Sequence, residues 1–179
     1  MKLSTRSLVL TPLFSALTIA GAFVRIPFPL APLTLQTLFA MMAGFILGPK
    51  AGALSQLLYI IIGLAGVPVF AYGGGIGYLL NPTFGFLLGF IPLAYVSGMM
   101  YQKKKTMQNA VTGGILGTLL LYALGLPYLY IVFNYHLSVQ KTVWDVVKGA
   151  MLIFLPGDIL KLFLGSYLSA IILKRVRYL

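Results

Sequence analysis

The chain has 179 residues, of which 60% are hydrophobic and only 8% are charged, a balance that ordinary soluble domains do not have. Its net charge of +11 comes from short basic clusters at the ends of apolar segments, not from the basic, aromatic-interleaved surface of nucleic-acid-binding proteins. The absence of cysteine excludes disulfides, cysteine nucleophiles and cysteine-ligated metals. The composition therefore predicts an all-α integral membrane protein.

Six apolar segments reach or approach the roughly 20 residues that a helix needs to cross a bilayer. The first follows Lys2 and Arg6, as a secretory signal would, but it has no clear cleavage site, so we expect a retained membrane helix. We predict a single transmembrane substrate-binding domain over 1–179, a compact bundle with helices at about 7–24, 35–47, 51–64, 83–101, 107–132 and 149–173. Gly125 and Pro127 are expected to kink or end the fifth helix.

The basic residues give these helices an orientation. With six spans, nine lysines and arginines lie on the side of the termini (Lys2, Arg6, Lys50, Lys103, Lys104, Lys105, Lys174, Arg175 and Arg177), and three lie on the other side (Arg25, Lys141 and Lys148). The positive-inside bias places both termini in the cytoplasm. Three connections then share the outer face: a proline-rich loop at 25–33, a glycine-rich stretch at 67–82 and a polar segment at 134–148.

The glycine-rich stretch contains more glycine and proline than a simple connecting loop needs. Glycine supplies positive φ and close backbone approach, and proline stiffens a turn. The stretch lacks the spacing of a P-loop, and no ATPase motif occurs elsewhere in the chain. We predict that Gly73, Gly74 and Gly75 form a lid or a pocket wall.

Asp158 and Lys161 are the most distinctive polar residues. They are expected about nine and twelve residues into the last helix, roughly 13–18 Å from its outer end, and their i, i+3 spacing places them on one helix face. Ionisable groups at such depth normally face a cavity, a partner or a pathway. The pair is either a structural ion pair or a functional site, and we expect the second.

Other candidates are weaker on local grounds. Asn81 precedes the fourth helix as either a cap or a ligand group, and the local sequence does not decide between the two. Further binding candidates are Gln36, Tyr72 and Tyr78, although membrane tyrosines are often anchors, and Phe70 and Phe84, which could equally be core. Ala16 and Ala20 form a small-xxx-small pair whose spacing alone favours packing within the chain.

An enzyme is not expected, because the acids are limited to Asp145 and Asp158 and the one histidine, His136, lies in a connection. These residues are too few for a carboxylate or histidine metal site. A serine–histidine–aspartate arrangement would lack the usual G-x-S-x-G elbow. We therefore predict no catalytic residues, no metal and no cofactor.

Five motifs together resemble the BioY family, the biotin-specific S component of energy-coupling factor (ECF) transporters. They are Pro32-Leu-Thr-Leu-Gln-Thr37, Gly63-Leu-Ala-Gly-Val-Pro-Val-Phe-Ala71, Gly73-Gly-Gly75, Asn81-Pro-Thr-Phe-Gly-Phe86 and Pro156-Gly-Asp-Ile-Leu-Lys161. The resemblance implies the S-component fold with six transmembrane helices, and high-affinity binding of biotin in an outward-facing pocket. It also implies a transmembrane coupling protein and two cytoplasmic ATPases as partners, in the cytoplasmic membrane of a prokaryote.

The same resemblance assigns roles to residues. It implies that Asn81, Asp158 and Lys161 contact biotin, that the first loop with Gln36 and the glycine-rich stretch act as walls or lids, and that the small-residue face of Ala16 and Ala20 contacts the coupling protein. Two alternatives stay open. The chain could be an S component for another vitamin, or a solitary secondary transporter that uses the Asp158–Lys161 pair for proton coupling.

Overall fold

The structure, a computed structural model, describes residues 5–176. Seven α-helices lie in this range: α1 (Thr5–Phe23), α2 (Gln36–Leu47), α3 (Pro49–Leu64), α4 (Phe84–Lys103), α5 (Met107–Ile131), α6 (Val143–Val147) and α7 (Leu155–Val176). A 3-10 helix at Ile76–Leu80 precedes α4, and π-helical turns at Val132–His136 and Lys148–Leu152 extend α5 and α6. The only strands in this range are β1 (Arg25–Ile26) and β2 (Leu33–Thr34), so the architecture is helical.

The start of the last helix differs from the sequence-based expectation, whereas the end of α5 lies close to it. α5 continues through Pro127 to Ile131, next to the expected end at 132. A neighbouring helix or water can compensate for the missing amide donor of a proline inside a membrane helix. The last helix does not start at 149, because 148–152 is a π-helical turn and α7 begins at Leu155 with Pro156 in its first turn. Proline is favoured there since the first amides of a helix have no intrahelical acceptor.

The short helix α6 is fixed by a capping box. The Thr142 hydroxyl accepts a hydrogen bond from the Asp145 amide at 3.1 Å, and the Asp145 carboxylate accepts one from the Thr142 amide at 2.9 Å. The Thr142 hydroxyl and amide hydrogen bonds hold the pKa of Asp145 below its usual value. This cap explains why a helix starts at Val143.

The helices pack closely where glycines cross. A Cβ built on Gly44 of α2 would lie 2.1 Å from the carbonyl oxygen of Ala94 in α4, so only glycine permits this approach. Gly98 meets Gly44 in the same way, at 2.6 Å. The crossing of α2 and α4 therefore brings two backbones into direct contact in the centre of the bundle. The core beside it contains large buried side chains such as Tyr59, Phe45 and Leu93.

The bundle has an apolar surface and polar groups inside. Large side chains on α5 and α7, among them Leu119, Leu160 and Phe163, are 50% exposed or more. Buried polar side chains join α1 to α3, where Ser15 donates to the Ser55 carbonyl at 2.7 Å. Two helical stretches, Phe84–Lys103 and Met107–His136, have the length and hydropathy for a membrane span, while three further apolar helices are shorter. This distribution suits a protein whose outer surface meets lipid.

The proline-rich loop and the glycine-rich stretch both have defined main-chain hydrogen bonds. The proline-rich loop closes as a two-stranded antiparallel ribbon in which Arg25 pairs with Thr34 and Ile26 with Leu33. The glycine-rich stretch folds back at Phe70 and Gly73, which exchange main-chain hydrogen bonds of 2.8 and 3.2 Å. Gly73 has φ +120°, a conformation that other residues rarely adopt. Both connections therefore present fixed backbone to the same region.

Candidate functional site

A cavity lies where the ribbon, the 3-10 helix and the ends of α2, α4, α5 and α7 meet. Its empty volume is about 540 Å³, including the part that opens to solvent. Apolar side chains, including Phe86, Leu87 and Phe90, form much of its wall. The polar residues that line it are Thr34, Gln36, Thr37, Tyr78, Thr83, Tyr122, Asp158 and Lys161. An apolar cavity with a few converging polar groups is the usual form of a small-molecule site.

One wall of the cavity holds a buried ion pair. Asp158 and Lys161 are 7% and 5% exposed, and Lys161 Nζ lies 2.5 Å from Asp158 Oδ1. The Tyr122 hydroxyl donates to the other carboxylate oxygen, and Lys161 also donates to the Thr34 carbonyl at 3.1 Å. A buried ion pair requires such extra hydrogen bonds to offset the cost of desolvation. The carboxylate is thus an acceptor held in place by α5 and by its own helix.

Asp158 lies nearer to its helix end than expected. Because α7 begins at Leu155 and not near 149, the carboxylate is in the first turn of the helix. The expected depth of roughly 13–18 Å was counted from a helix start at 149, and the structure has a π-helical turn there and the start of α7 at Leu155.

A second polar group of the site runs from β2 into the bundle. The Thr34 hydroxyl donates to Gln36 Oε1 at 3.0 Å, and Gln36 Nε2 donates to the Tyr59 hydroxyl at 2.6 Å. The Tyr59 hydroxyl in turn donates to the Val69 carbonyl at 3.4 Å. Gln36 is 3% exposed, so both ends of its amide are fixed by protein partners at the edge of the cavity.

A third group joins the 3-10 helix to the start of α4. The hydroxyls of Tyr78 and Thr83 share a hydrogen bond of 3.1 Å. Asn81 Oδ1 accepts hydrogen bonds from the Thr83 hydroxyl at 2.7 Å and from its amide at 3.0 Å. Burial raises the pKa of Tyr78, which keeps its phenol protonated. The site therefore presents hydroxyl groups on this wall and charges on the opposite one.

Comparison with known proteins identifies the family. A sequence model described as the BioY family matches residues 1–178. The chain belongs to the BioY family. It is 43% identical over 175 residues to the probable biotin transporter BioY of Lysinibacillus sphaericus, covering 97% of this chain and 87% of the relative. It is 35% identical to the biotin transporter BioY of Thermotoga maritima, covering 96% and 97%.

Solved structures agree on the fold. The S-component for biotin from an ECF-type ABC transporter superposes with a TM-score of 0.81 at 22% identity, covering 97% of this chain and 95% of that one. The S component of a bacterial ECF transporter superposes with a TM-score of 0.62 at 19% identity, covering 97% and 96%. The predicted family and the all-α S-component fold are confirmed. This BioY-family chain is a membrane protein of a transporter family and not an enzyme.

The structure brings four of the predicted binding residues together. Gln36, Tyr78, Asp158 and Lys161 all line the cavity. Asn81 does not line it, because its side-chain oxygen is turned towards Thr83 as a local cap. Direct contact between Asn81 and a ligand stays a prediction.

The predicted aromatic residues lie around the cavity without lining it. Phe70 is 1% exposed and packs between Tyr59 and Tyr78, with ring centroids at 5.3 and 4.5 Å. Phe84 is 4% exposed and packs against Tyr128 at 5.9 Å. Tyr72 is 49% exposed, with the Arg25 guanidinium over its ring at 5.2 Å. These side chains support the wall from behind or lie at the surface.

The three predicted lid glycines, Gly73, Gly74 and Gly75, are also outside the cavity lining. Their stretch reaches the cavity through Ala71 and Tyr78 on either side of them. The Gly75 amide donates to the Gly63 carbonyl at 2.7 Å, which ties the glycines to the end of α3. The glycines shape the wall, and neighbouring side chains form it.

Sequence reasoning missed Tyr122, along with the cavity-lining hydroxyls of Thr34, Thr37 and Thr83. Tyr122 lies in α5 within an apolar run and donates to Asp158 on another helix. A buried tyrosine hydroxyl normally needs a hydrogen-bond partner, and this was the available signal. The partner could not be identified from the sequence, because the contact joins residues 36 positions apart.

Ala16 and Ala20 lie on the exposed face of α1. The opposite face, with Phe14, Ser15 and Thr18, is buried against the bundle. Packing of the two alanines within the described chain, which their spacing alone favoured, is therefore wrong. Within residues 5–176, no three His, Cys, Asp or Glu side chains form a candidate metal site.

Proposed function

We propose that this chain is a high-affinity biotin-binding S component that takes part in biotin uptake across the cytoplasmic membrane of a prokaryote. The observation that carries the proposal is the cavity whose wall holds the Asp158–Lys161 pair, fixed by Tyr122 and Thr34. Family membership and relatives named biotin transporters support the choice of ligand. Another vitamin is the alternative that the test below addresses.

The chemistry of biotin suits this cavity. Its bicyclic head offers two ureido N–H donors and one carbonyl, with a thioether ring that suits an apolar wall such as Phe86 and Phe90. We assign Asp158 as the acceptor for a ureido N–H. Lys161 pairs with this carboxylate, since the two groups are in direct contact. Gln36 and Tyr78 supply further polar groups at the edge.

Asn81 acts on the ligand through its neighbours in this proposal. Its Oδ1 orients the Thr83 hydroxyl, which in turn bonds Tyr78, and both of these residues line the cavity. Phe70 and Phe84 support this wall from the core. The stretch with Gly73, Gly74 and Gly75 serves as the lid, and Tyr72 lies on its outer surface.

We place the cavity on the outer side of a six-span bundle formed by α1 to α5 and α7, with both termini in the cytoplasm. The excess of lysine and arginine on the side of the termini supports this orientation. The ribbon, the glycine-rich stretch and α6 then all face outward. Trp144, 55% exposed on α6, suits a position at the membrane surface.

Energy for uptake comes from partners in this proposal, because the sequence contains no P-loop motif. The partners are a transmembrane coupling protein and two cytoplasmic ATPases. The exposed face of α1 with Ala16 and Ala20 is the proposed contact, since small residues allow another helix to approach closely.

Calorimetric titration of the purified protein with biotin tests the proposal, with thiamine and riboflavin as controls. We expect saturable binding of one biotin per chain and no binding of the controls. Binding of a control vitamin in place of biotin would contradict the ligand assignment. Reconstitution in liposomes tests the energy source: we expect biotin accumulation only with the ATPase module, and accumulation by the chain alone would contradict the dependence on partners.

A further inference from the structure

The ion pair and the glycine-rich stretch are joined by one continuous chain of hydrogen bonds. Lys161 donates to the Thr34 carbonyl at 3.1 Å, and the Thr34 hydroxyl donates to Gln36 at 3.0 Å. Gln36 donates to Tyr59 at 2.6 Å, and Tyr59 donates to the Val69 carbonyl at 3.4 Å. These bonds start at a charged group in the cavity and end at the Val69 carbonyl, in the stretch whose Ala71 and Tyr78 line the cavity.

Tyr59 connects Gln36 to the glycine-rich stretch in this series of hydrogen bonds. Its side chain is 0% exposed and does not line the cavity, so its hydroxyl is available to protein partners and not to a ligand. The hydroxyl contacts Gln36 on one side and Val69 on the other. Its ring also meets Phe70 edge-on, at 5.3 Å and 90°. Polar and aromatic contacts of one side chain thus hold two consecutive residues of the stretch.

Val69 and Phe70, the two residues that Tyr59 contacts, lie next to the part of the stretch that faces the cavity. The Phe70 ring packs against Tyr78 at 4.5 Å with a tilt of 49°, and Tyr78 lines the cavity together with Ala71. The Phe70 ring also fills the space beside Gly63, where an added Cβ would lie 2.0 Å from it. A shift at Val69 and Phe70 would therefore move cavity wall, because close-packed side chains leave no room for independent movement.

We propose that Tyr59 is a positioning residue that couples the Asp158–Lys161 pair to closure of the segment 66–75 over the cavity. A ligand that hydrogen-bonds Asp158 changes the bond between Lys161 and Thr34, and Gln36 and Tyr59 carry that change to Val69. The identity of the ligand rests on the function proposed above. The hydrogen bonds that link Lys161 to Val69 do not, because they are present in the ligand-free chain.

Hydrogen exchange of the ligand-free, full-length protein in lipid nanodiscs tests the coupling directly. Tyr59→Phe keeps the ring and removes the hydroxyl, so the segment 66–75 should exchange faster by about three- to tenfold, as expected for one lost hydrogen bond. Tyr101→Phe is the matched control, because Tyr101 is equally buried and packs edge-on against Phe45 away from the cavity. It should leave exchange in 66–75 unchanged.

Two further measurements complete the design. Gln36→Leu should accelerate exchange in 66–75 as Tyr59→Phe does, and the double variant should add nothing further, since both changes break the same chain. Tyr59→Phe should also speed biotin dissociation by about three- to tenfold while the association rate is kept. Unchanged exchange in Tyr59→Phe, or additive effects, would overturn the coupling. Failure of the wild-type protein to bind biotin would overturn the proposed function and leave the exchange result intact.

Discussion

Lys161 Nζ lies 2.5 Å from Asp158 Oδ1, one helical turn earlier in α7, and neither residue is more than 7% exposed. The two charges therefore neutralise one another before any ligand enters. Removing one partner of a buried pair costs more than removing both, because the remaining charge is left without compensation.

This relationship predicts different outcomes for stability and binding. Lys161→Met should destabilise the protein by about 3–5 kcal/mol and weaken biotin binding strongly, since Asp158 stays buried and unpaired. The double change Asp158→Asn with Lys161→Met should recover most of the stability and none of the binding. Thermal unfolding and calorimetric titration measure the two effects. Lys148→Met, at an exposed lysine, is the control, and unchanged affinity in Asp158→Asn and Lys161→Met would contradict the site assignment.

The contact between Tyr122 and Asp158 predicts that removing the Tyr122 hydroxyl weakens biotin binding, while the shape of the side chain hardly changes. Tyr122→Phe removes the hydroxyl that donates to Asp158 Oδ2 and keeps the ring that lines the cavity. A hydrogen bond to a charged group contributes about 1.5–3 kcal/mol to stability, so thermal unfolding should show a loss of that size. Biotin should also bind more weakly, because Asp158 is no longer held in place for the ligand. Tyr167→Phe, at a tyrosine that is 61% exposed on α7, should bind biotin as the wild type does. Equal affinity of the two variants would show that the hydroxyl does not orient Asp158 for the ligand.

The sequence predicted what depends on local spacing. Asp158 and Lys161 share a helix face by their i, i+3 separation, and the structure places them in contact. The start of α7 was misplaced because an apolar run does not show where one helix ends and the next begins. There, the capping box at Thr142 and the proline at 156 set the boundaries.

Contacts between segments far apart in the chain could not be predicted from the sequence. Tyr122 meets Asp158 across 36 residues, and Lys161 meets Thr34 across 127. Asn81 shows the opposite case, since a strong local preference decided its conformation. An asparagine oxygen readily accepts hydrogen bonds from the residue two positions later, and Thr83 provides both an amide and a hydroxyl.

That local cap leads to a prediction for Asn81. Asn81→Asp keeps an oxygen acceptor for Thr83, whereas Asn81→Ala removes it and should cost about 0.5–2 kcal/mol, as other lost caps do. If Asn81 acts through Thr83, biotin affinity should fall in Asn81→Ala and be largely kept in Asn81→Asp. Calorimetric titration distinguishes the cases. An equal fall in both variants would mean that the side-chain amide group itself contacts the ligand.

The exposed face of α1 predicts a separation of binding from transport. Ala16→Leu or Ala20→Leu should leave biotin binding unchanged, because neither alanine faces the bundle. It should reduce energised uptake and co-purification with the coupling protein, since larger side chains hold helices apart. Ile115→Phe enlarges a side chain that is 47% exposed on α5 and serves as the control for a bulky surface change. Lost biotin binding with intact assembly would place the alanines in an internal role.

The glycine-rich stretch offers a matched pair of substitutions. A Cβ on Gly74 would lie 2.1 Å from the carbonyl oxygen of Val67, and main chain must move to relieve that contact. A Cβ on Gly77, three residues later, would meet no atom within 4 Å. Gly74→Ala should therefore weaken biotin binding by about tenfold or more, a loss of about 1.4 kcal/mol.

Gly77→Ala should change biotin affinity by less than about twofold, because alanine there fits without displacement and restricts the unfolded chain. Equal effects of the two changes would mean that flexibility of the stretch matters, since both substitutions reduce it to a similar degree. A loss confined to Gly74→Ala means that the fold of the stretch matters. Val67 is two residues before Val69, which Tyr59 holds, so a displaced Val67 carbonyl disturbs the segment at the point where the hydrogen-bond chain from Lys161 reaches it.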